Sequence, residues 1–484
     1  MFLLLVSTIA LANNVSQQIY ERIADPRFSS ANISISVRSV ADGTSIFSYQ
    51  ASKALVPAST MKWLTAVAAV ERLGLDYKPS TYLQVRGEIK RNRINGDLIL
   101  YGNGAPDLSV EDLREWSSQL ERQGIDAITG RVIVDPSYFE SSNLSTGWAW
   151  DDLTFGYAAP FSAVNIEHNT TKVTLKPPSS SSRKTRWDGG LLEDCLRFTA
   201  NQNDVEKVYI QRQLGQNTIV ANGGDLVGKP RTSATVSIPN PAQCVETLFI
   251  DQLSNSGISI KNQYNEARQV IRIAKKESLS LEEMLVVMLK KSHNLYAEII
   301  ARLIDPAQAK KSIDGARKIY ADILEKAGVT SQEWRIEDGS GLSRYNLLSA
   351  DALTKISVYA YNQPYGKDLY KMLPIAGVDG TLAKRMKTGA ATGNVHAKTG
   401  SMSTMRNISG YVTSQDQQLL AVSIFVNGYV GSSYDMIRLQ DQILEILASG
   451  NIEEEIQYQQ KVTQKVKQRL AQRWFRHFLT SDKQ

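Results

Sequence analysis

The chain has 484 residues, 42% of them hydrophobic and 21% charged, with two cysteines and four histidines. This length and balance predict about three folded domains with a sizeable core, and the scattered His and Cys show no metal-ligand spacing. The formal net charge of +6 sits in the tail: 461–484 carry seven Lys/Arg (Lys461, Lys465, Lys467, Arg469, Arg473, Arg476, Lys483) against Asp482. The rest of the chain is balanced, which excludes a general nucleic-acid-binding surface.

The apolar start from Phe2 ends in Ala10-Leu11-Ala12, an A-x-A pattern that predicts a secretory signal over 1–12. The run is too short to span a bilayer; the alternative is a buried N-terminal strand. A signal implies export to the periplasm or cell envelope. Ile33, Ile35 and Val37 alternate with polar residues, and Asp42-Gly43 precedes Thr44–Tyr49, which predicts a β-hairpin. Pro57-Ala-Ser-Thr-Met-Lys62 runs into Leu64, Ala66, Val67, Ala68, Ala69, Val70 and Leu73, with Gly74 as a stop. That is a helix, apolar nearly all round and therefore buried.

Short strands punctuated by Gly, Asn and Pro follow (Leu98–Tyr101, Arg131–Val134). Helical periodicity returns at Pro241–Leu248. Ser280-Leu-Glu-Glu283 is a capping box opening a further helix, and the loop Lys291-Ser-His-Asn294 leads into another. His396–Met402, Asn407–Val412 and Leu419–Val426 read as consecutive antiparallel strands. Strands at both ends with helices between predict a split α/β domain over 13–84 and 241–450. It holds an inserted domain over 85–167 and a second, nested β-rich insertion and return segment over 168–240. A basic amphipathic helix over 451–484 closes the chain. Cys195 and Cys244 form either one bridge in an oxidising compartment or two buried thiols.

Three short motifs carry the chemistry. Ser59 and Lys62 lie one helical turn apart, on one face. A serine is a weak nucleophile until an adjacent base takes its proton. Lysine is such a base only when its pKa falls well below ~10.4, through desolvation or a second cation; a drop of about three units takes roughly 4 kcal/mol of environment. Ser292-x-Asn294 lies on the loop between two helices, and Lys398-Thr399-Gly400 opens a strand. Each motif is weak alone. Ser30-Ala-Asn32 and Ser141-Ser-Asn143 also match, as do Ser181-Ser-Arg-Lys184 and Lys387-Thr-Gly389, the last two in loops. The trio in this order and these contexts is the pattern of penicillin-binding proteins and β-lactamases.

On these residues the chain resembles the low-molecular-mass class C penicillin-binding proteins, the D-alanyl-D-alanine carboxypeptidase/endopeptidase family. Further stretches carry the likeness: Tyr157-Ala-Ala-Pro-Phe-Ser-Ala163, Asp338-Gly-Ser-Gly-Leu-Ser-Arg344, Leu373-Pro-Ile-Ala-Gly377 with Asp379-Gly-Thr381, and Ala397-Lys-Thr-Gly400. The resemblance implies a transpeptidase-like α/β fold, a five-stranded antiparallel sheet flanked by helices, with a large mostly β insertion between the first and second motifs. It implies that peptidoglycan stem peptides, or penicillin, acylate Ser59, with Lys62 as base, Ser292 as proton relay and Asn294 orienting Lys62 and the substrate amide. Lys398 and Thr399 would bind the terminal carboxylate. Gly400 would admit substrate backbone, and the N–H groups of Ser59 and Ser401 would form the oxyanion hole. Ser401 stands where the family usually has Thr. His293 reads as the variable middle residue of its motif.

By the same resemblance, Asp152, Tyr157, Leu342, Arg344 and Met402 would line a pocket for the free end of a diaminopimelate side chain, with Asp152, or its neighbour Asp151, on the ammonium and Arg344 on the carboxylate. The other reading of these residues is an ordinary inter-domain contact. No cofactor is implied. In the tail, Val462, Val466, Leu470, Trp474 and Phe478 recur every four residues among Lys and Arg, a pattern that suits an anionic membrane surface and also a loosely docked terminal helix. Two other functions fit the motifs less well: a β-lactamase or esterase, for which no dedicated deacylating base is identified, and a non-catalytic wall-binding scaffold, which the intact motifs argue against.

Overall fold

A computed structural model describes residues 14–177, 186–202, 208–213, 215–223, 231–263 and 266–481. The expected signal and the decoy Ser181–Lys184 lie outside these residues. The chain divides into two compact units: Met1–Thr60 with Leu324–Trp334 and Leu347–Gln484, and Met61–Ile323 with Arg335–Asn346.

The first unit is built on a five-stranded antiparallel sheet in the order His396–Met402, Met405–Thr413, Leu419–Asn427, Asn32–Ser39, Ser45–Tyr49. Its central pairing joins the two ends of the chain, from Asn32↔Asn427 to Ser39↔Leu420, so everything between is carried inside that closure. The period-2 alternation read at Ile33, Ile35 and Val37 aims these side chains into one apolar layer, shared with Ile408, Val422 and Ile424 and with Leu439, Ile443 and Leu447 of helix Ser433–Ser449. The other face is small and polar. There Ser36 Oγ bonds Asp351 and Thr354 of helix Ala350–Tyr361, Ser409 pairs with Ser423 across strands, and Tyr411 donates to Ser357 O. Small side chains let that helix lie close, and each buried hydroxyl finds a partner.

The second unit contains helix Met61–Leu73, whose first ten residues are buried, packed with helices Leu281–Lys290 and Asn294–Leu303. Gly74 closes the first helix in the left-handed region (φ 79°), as the stop signal predicts, and Ser280 caps the second through the Glu283 box. A six-stranded mixed sheet centres on Ser80–Lys90 and Arg93–Gly102. It begins ahead of residue 85 and takes in Ser259–Ile260 and Val270–Glu277, beyond residue 240, because both late strands satisfy its edges. Two three-stranded sheets occupy 170–237. Cys195 and Cys244 are joined, tying a short turn-rich segment to helix Pro241–Asn255 in one apolar cluster. The alternative of two buried thiols is thereby set aside. The C-terminal helix spans Ile452–Ser481.

Candidate active site

Each unit holds one set of motif residues. In the first, Pro57 leads into a single 3-10 turn, Ala58–Thr60, which continues directly into helix Met61–Leu73. Ser59 on this turn is half-buried, and Ala58 before it adopts φ 47°, a costly conformation for a side chain with Cβ and one that concentrates at functional sites. Asn407 and Asn427 both donate to Val56 O, at 2.8 and 2.9 Å, fixing the approach to the turn. Strand His396–Met402 packs against it. A Cβ on Gly400 would stand 2.7 Å from Pro57 O and 3.1 Å from Thr60 N, so here glycine is required by the turn that carries Ser59. Lys398 is fully buried, its Nζ donating to Thr399 O at 2.8 Å, and Thr399 Oγ1 bonds Thr381 Oγ1 at 2.8 Å. Ser401 and Met402 end the strand in a tight hairpin with Arg406 and Met405.

In the second unit, Lys62 is fully buried as the second residue of its helix. Its Nζ donates to Asn294 Oδ1 and to Ser340 O, both at 2.6 Å. Burial lowers its pKa to about 7, against the pull of Asp338 and Glu298. An amine that readily sheds its charge at neutral pH is what base catalysis by lysine needs. Asn294 Nδ2 donates to Tyr157 O at 2.7 Å, joining the second motif to the Tyr157–Ala163 stretch. Ser292 turns the chain between two helices at φ 57°. His293 packs its ring on His168 and Tyr296; burial, then His168, lowers its pKa to about 3, so it is uncharged.

Three of the expected pocket residues come together. Asp152 accepts from Tyr157 Oη at 2.7 Å and pairs with Arg344 at 3.5 Å, while Leu342 is buried on the Arg344 loop. Met402 belongs to the other unit. Asp151 is exposed beside this pair. Among the described residues no cluster of His, Cys, Asp and Glu is able to hold a metal ion, and no helix is long and apolar enough to cross a membrane.

Sequence reasoning missed Thr381 as the partner of Thr399, and it missed Glu298, Arg302, Asp338 and the Ser340 carbonyl around Lys62. The one available signal was Glu298 and Arg302 at i,i+4 on an otherwise apolar helix.

The Ser59 turn and the strand of Lys398 lie in the unit built on the five-stranded sheet, and the desolvated Lys62 lies in the other. The model of the D-Ala-D-Ala carboxypeptidase 3 (S13) family matches residues 15–449, and the chain belongs to that family. It is 30% identical to a D-alanyl-D-alanine carboxypeptidase of Actinomadura sp. (strain R39) over 88% of this chain and 83% of that one. It is 28% identical to D-alanyl-D-alanine carboxypeptidase DacB of Haemophilus influenzae over 82% and 86%. The crystal structure of penicillin binding protein 4 from Haemophilus influenzae covers 88% of this chain and 98% of its own, with TM-score 0.78 and 25% identity. A second structure of that protein, complexed with a β-lactam, matches the fold with TM-score 0.75 at 24% identity. The protein is thus a serine-type DD-peptidase, a hydrolase with the transpeptidase-like fold and its insertion.

Proposed function

We propose that the enzyme cleaves D-alanyl-D-alanine bonds of peptidoglycan stem peptides through an acyl-enzyme at Ser59. One observation carries the reading: a buried amine, readily uncharged near neutral pH, with two carbonyl oxygens at 2.6 Å, one helical turn from a serine. An uncharged amine has two N–H donors. Asn294 and Ser340 accept from Lys62, and in the proposed reaction its lone pair receives the Ser59 proton.

As Ser59 Oγ bonds to the carbonyl carbon of the penultimate D-alanine, its proton passes to Lys62. The oxyanion is held by the N–H groups of Ser59 and Ser401, near the N-terminal end of a helix that favours negative charge. The carbon–nitrogen bond then breaks, and the proton passes from Lys62 through Ser292 to the departing amine. Water hydrolyses the ester by the reverse proton path, restoring Ser59. Lys398 and Thr399 bind the terminal carboxylate, with Thr381 orienting Thr399. The same groups suit the carboxylate of a β-lactam, which acylates Ser59 in place of the peptide.

The paired Asp152 and Arg344 suit a zwitterionic amino-acid end, ammonium on Asp152 and carboxylate on Arg344, with Tyr157 and Leu342 beside them. The substrate lies in the cell wall, and the Cys195–Cys244 bridge suits an oxidising compartment; both support export to the periplasm or envelope. The basic helix of the tail is proposed to rest on an anionic membrane surface.

Incubation with a fluorescent penicillin followed by peptide mass spectrometry tests the core of this reading. The adduct is expected on Ser59 and is lost, with D-alanine release, in Ser59→Ala. An adduct elsewhere, or D-alanine release by Ser59→Ala at the parent rate, overturns it. Rapid penicillin turnover marks a β-lactamase instead. Comparing D-alanine release with cleavage of a cross-linked dimer then assigns the exo/endo balance.

A further inference from the structure

Around Lys62 lies a buried charge cluster that the reaction as written leaves unused. Glu298 and Asp338 are fully buried, and Arg302 is 5% exposed. Glu298 Oε1 accepts from Ser340 N at 2.9 Å; its Oε2 accepts from Ser145 Oγ and Arg302, both at 2.9 Å. Arg302 lies flat on Phe161, 3.4 Å from the ring centre. Asp338 accepts from Trp148 Nε1 at 3.0 Å, Gly341 N at 2.7 Å, Ser343 N at 2.6 Å and Asn346 Nδ2 at 2.6 Å. Ser340 joins the two halves: its N–H is held by Glu298 while its carbonyl holds Lys62.

The charges do not balance when Lys62 is neutral. Among the described residues of this cluster, two carboxylates and one guanidinium leave a net negative charge, which is expensive away from water. A proton on Lys62 brings the cluster to zero. The step that moves the Ser59 proton onto Lys62 is therefore the step that neutralises the buried site. Burial alone would keep the lysine neutral but make it a poor acceptor; the carboxylates restore its basicity.

Resting on Lys62 as the base, we propose that Glu298, together with Asp338, is a positioning and counter-charge residue for it. Glu298 fixes the Ser340 carbonyl that holds the amine, and it supplies negative charge that stabilises the ammonium formed during acylation. Three other ionisable groups around the cluster keep their charge state across the neutral range, whereas Asp338 titrates just below the Lys62 midpoint. His293 titrates at about 3, burial raises Tyr320 far above neutrality, and Arg302 stays cationic. Burial, then Glu298, raises Asp338 to about 6, so it is mostly ionised at pH 7.

The test is the pH dependence of Ser59 acylation by penicillin. In the parent enzyme the rate rises with pH through a midpoint near 7, as Lys62 loses its proton. Glu298→Gln should move that midpoint down by about one unit or more, because the ammonium has lost a counter-charge, and lower the plateau about tenfold. Glu298→Asp keeps the charge but withdraws from Ser340 N; it should keep the midpoint and lose only rate. Arg302→Gln should move the midpoint up. A Glu298→Gln profile lowered at every pH with an unmoved midpoint would mean a packing role and overturn the proposal. If that variant does not fold, Arg302→Gln decides, and an unmoved or lowered midpoint overturns it. Failure of the parent enzyme to acylate at Ser59 would instead sink the reading beneath.

Discussion

Lys398-Thr399-Gly400 and Lys387-Thr388-Gly389 are the same tripeptide in the same unit, placed in different surroundings. The first lies on a sheet strand, paired from Lys398↔Ser409 to Gly400↔Asn407, with its lysine buried and its glycine against the turn that carries Ser59. The second lies in an exposed turn ahead of that strand. Its Gly389 sits at φ 97°, and the turn is held by Glu445, which accepts from Ala390 N at 2.7 Å and Ala391 N at 3.0 Å. In one copy glycine serves close approach to backbone; in the other it serves a left-handed turn and clearance from the Glu445 carboxylate. Three residue names do not make a site; the backbone packed beside them does.

Replacing the lysines would break this contrast most sharply. Lys398→Met should lower the second-order acylation rate by penicillin about a hundredfold or more, through loss of a charged hydrogen bond to the substrate carboxylate. Lys387→Met should stay within about twofold, as exposed changes do. Equal losses would refute the assignment of the carboxylate site. The glycines come next. Gly400→Ala must displace Pro57 or Thr60, and a shift of the nucleophile turn should cost about tenfold or more in the same rate. Gly389→Ala should leave the rate alone but cost about 1–2 kcal/mol in denaturant melts, from left-handed strain.

A small effect on activity is also expected in the other unit. Replacing Cys195 and Cys244 by Ser frees a loop with a sequence separation of 49. It should lower unfolding stability by about 4 kcal/mol on the chain-entropy model while acylation stays within about twofold. A large loss of rate in the folded variant would show that the insertion shapes the reaction more directly than the bridge's location implies.

Much of this was legible beforehand because it is local. Helical spacing puts Ser59 and Lys62 one turn apart, alternation at Ile33, Ile35 and Val37 and the apolar run Leu419–Val426 announce strands of the sheet, and Ser280 with Glu283 marks a helix start. The loop Ser292–Asn294 and the strand at Lys398 were readable for the same reason. What escaped depends on partners far along the chain. Thr381 meets Thr399 through a loop contact that no periodicity encodes. Glu298 meets Ser340 because a helix and a distant loop pack together, and a charged pair on an apolar helix reads equally well as a surface ion pair. The cysteine spacing allowed both a bridge and two thiols, and only the folding of the 190–195 segment onto helix Pro241–Asn255 decided between them.

Order along the chain therefore determined the kind of enzyme, since each motif's chemistry sits within a turn or a strand of itself. Tertiary structure decided the surroundings of each copy of a motif. Desolvation, counter-charge and steric closeness are properties of neighbours in space, and folding brings Glu298, Asp338 and Ser340 to Lys62 from more than two hundred residues away.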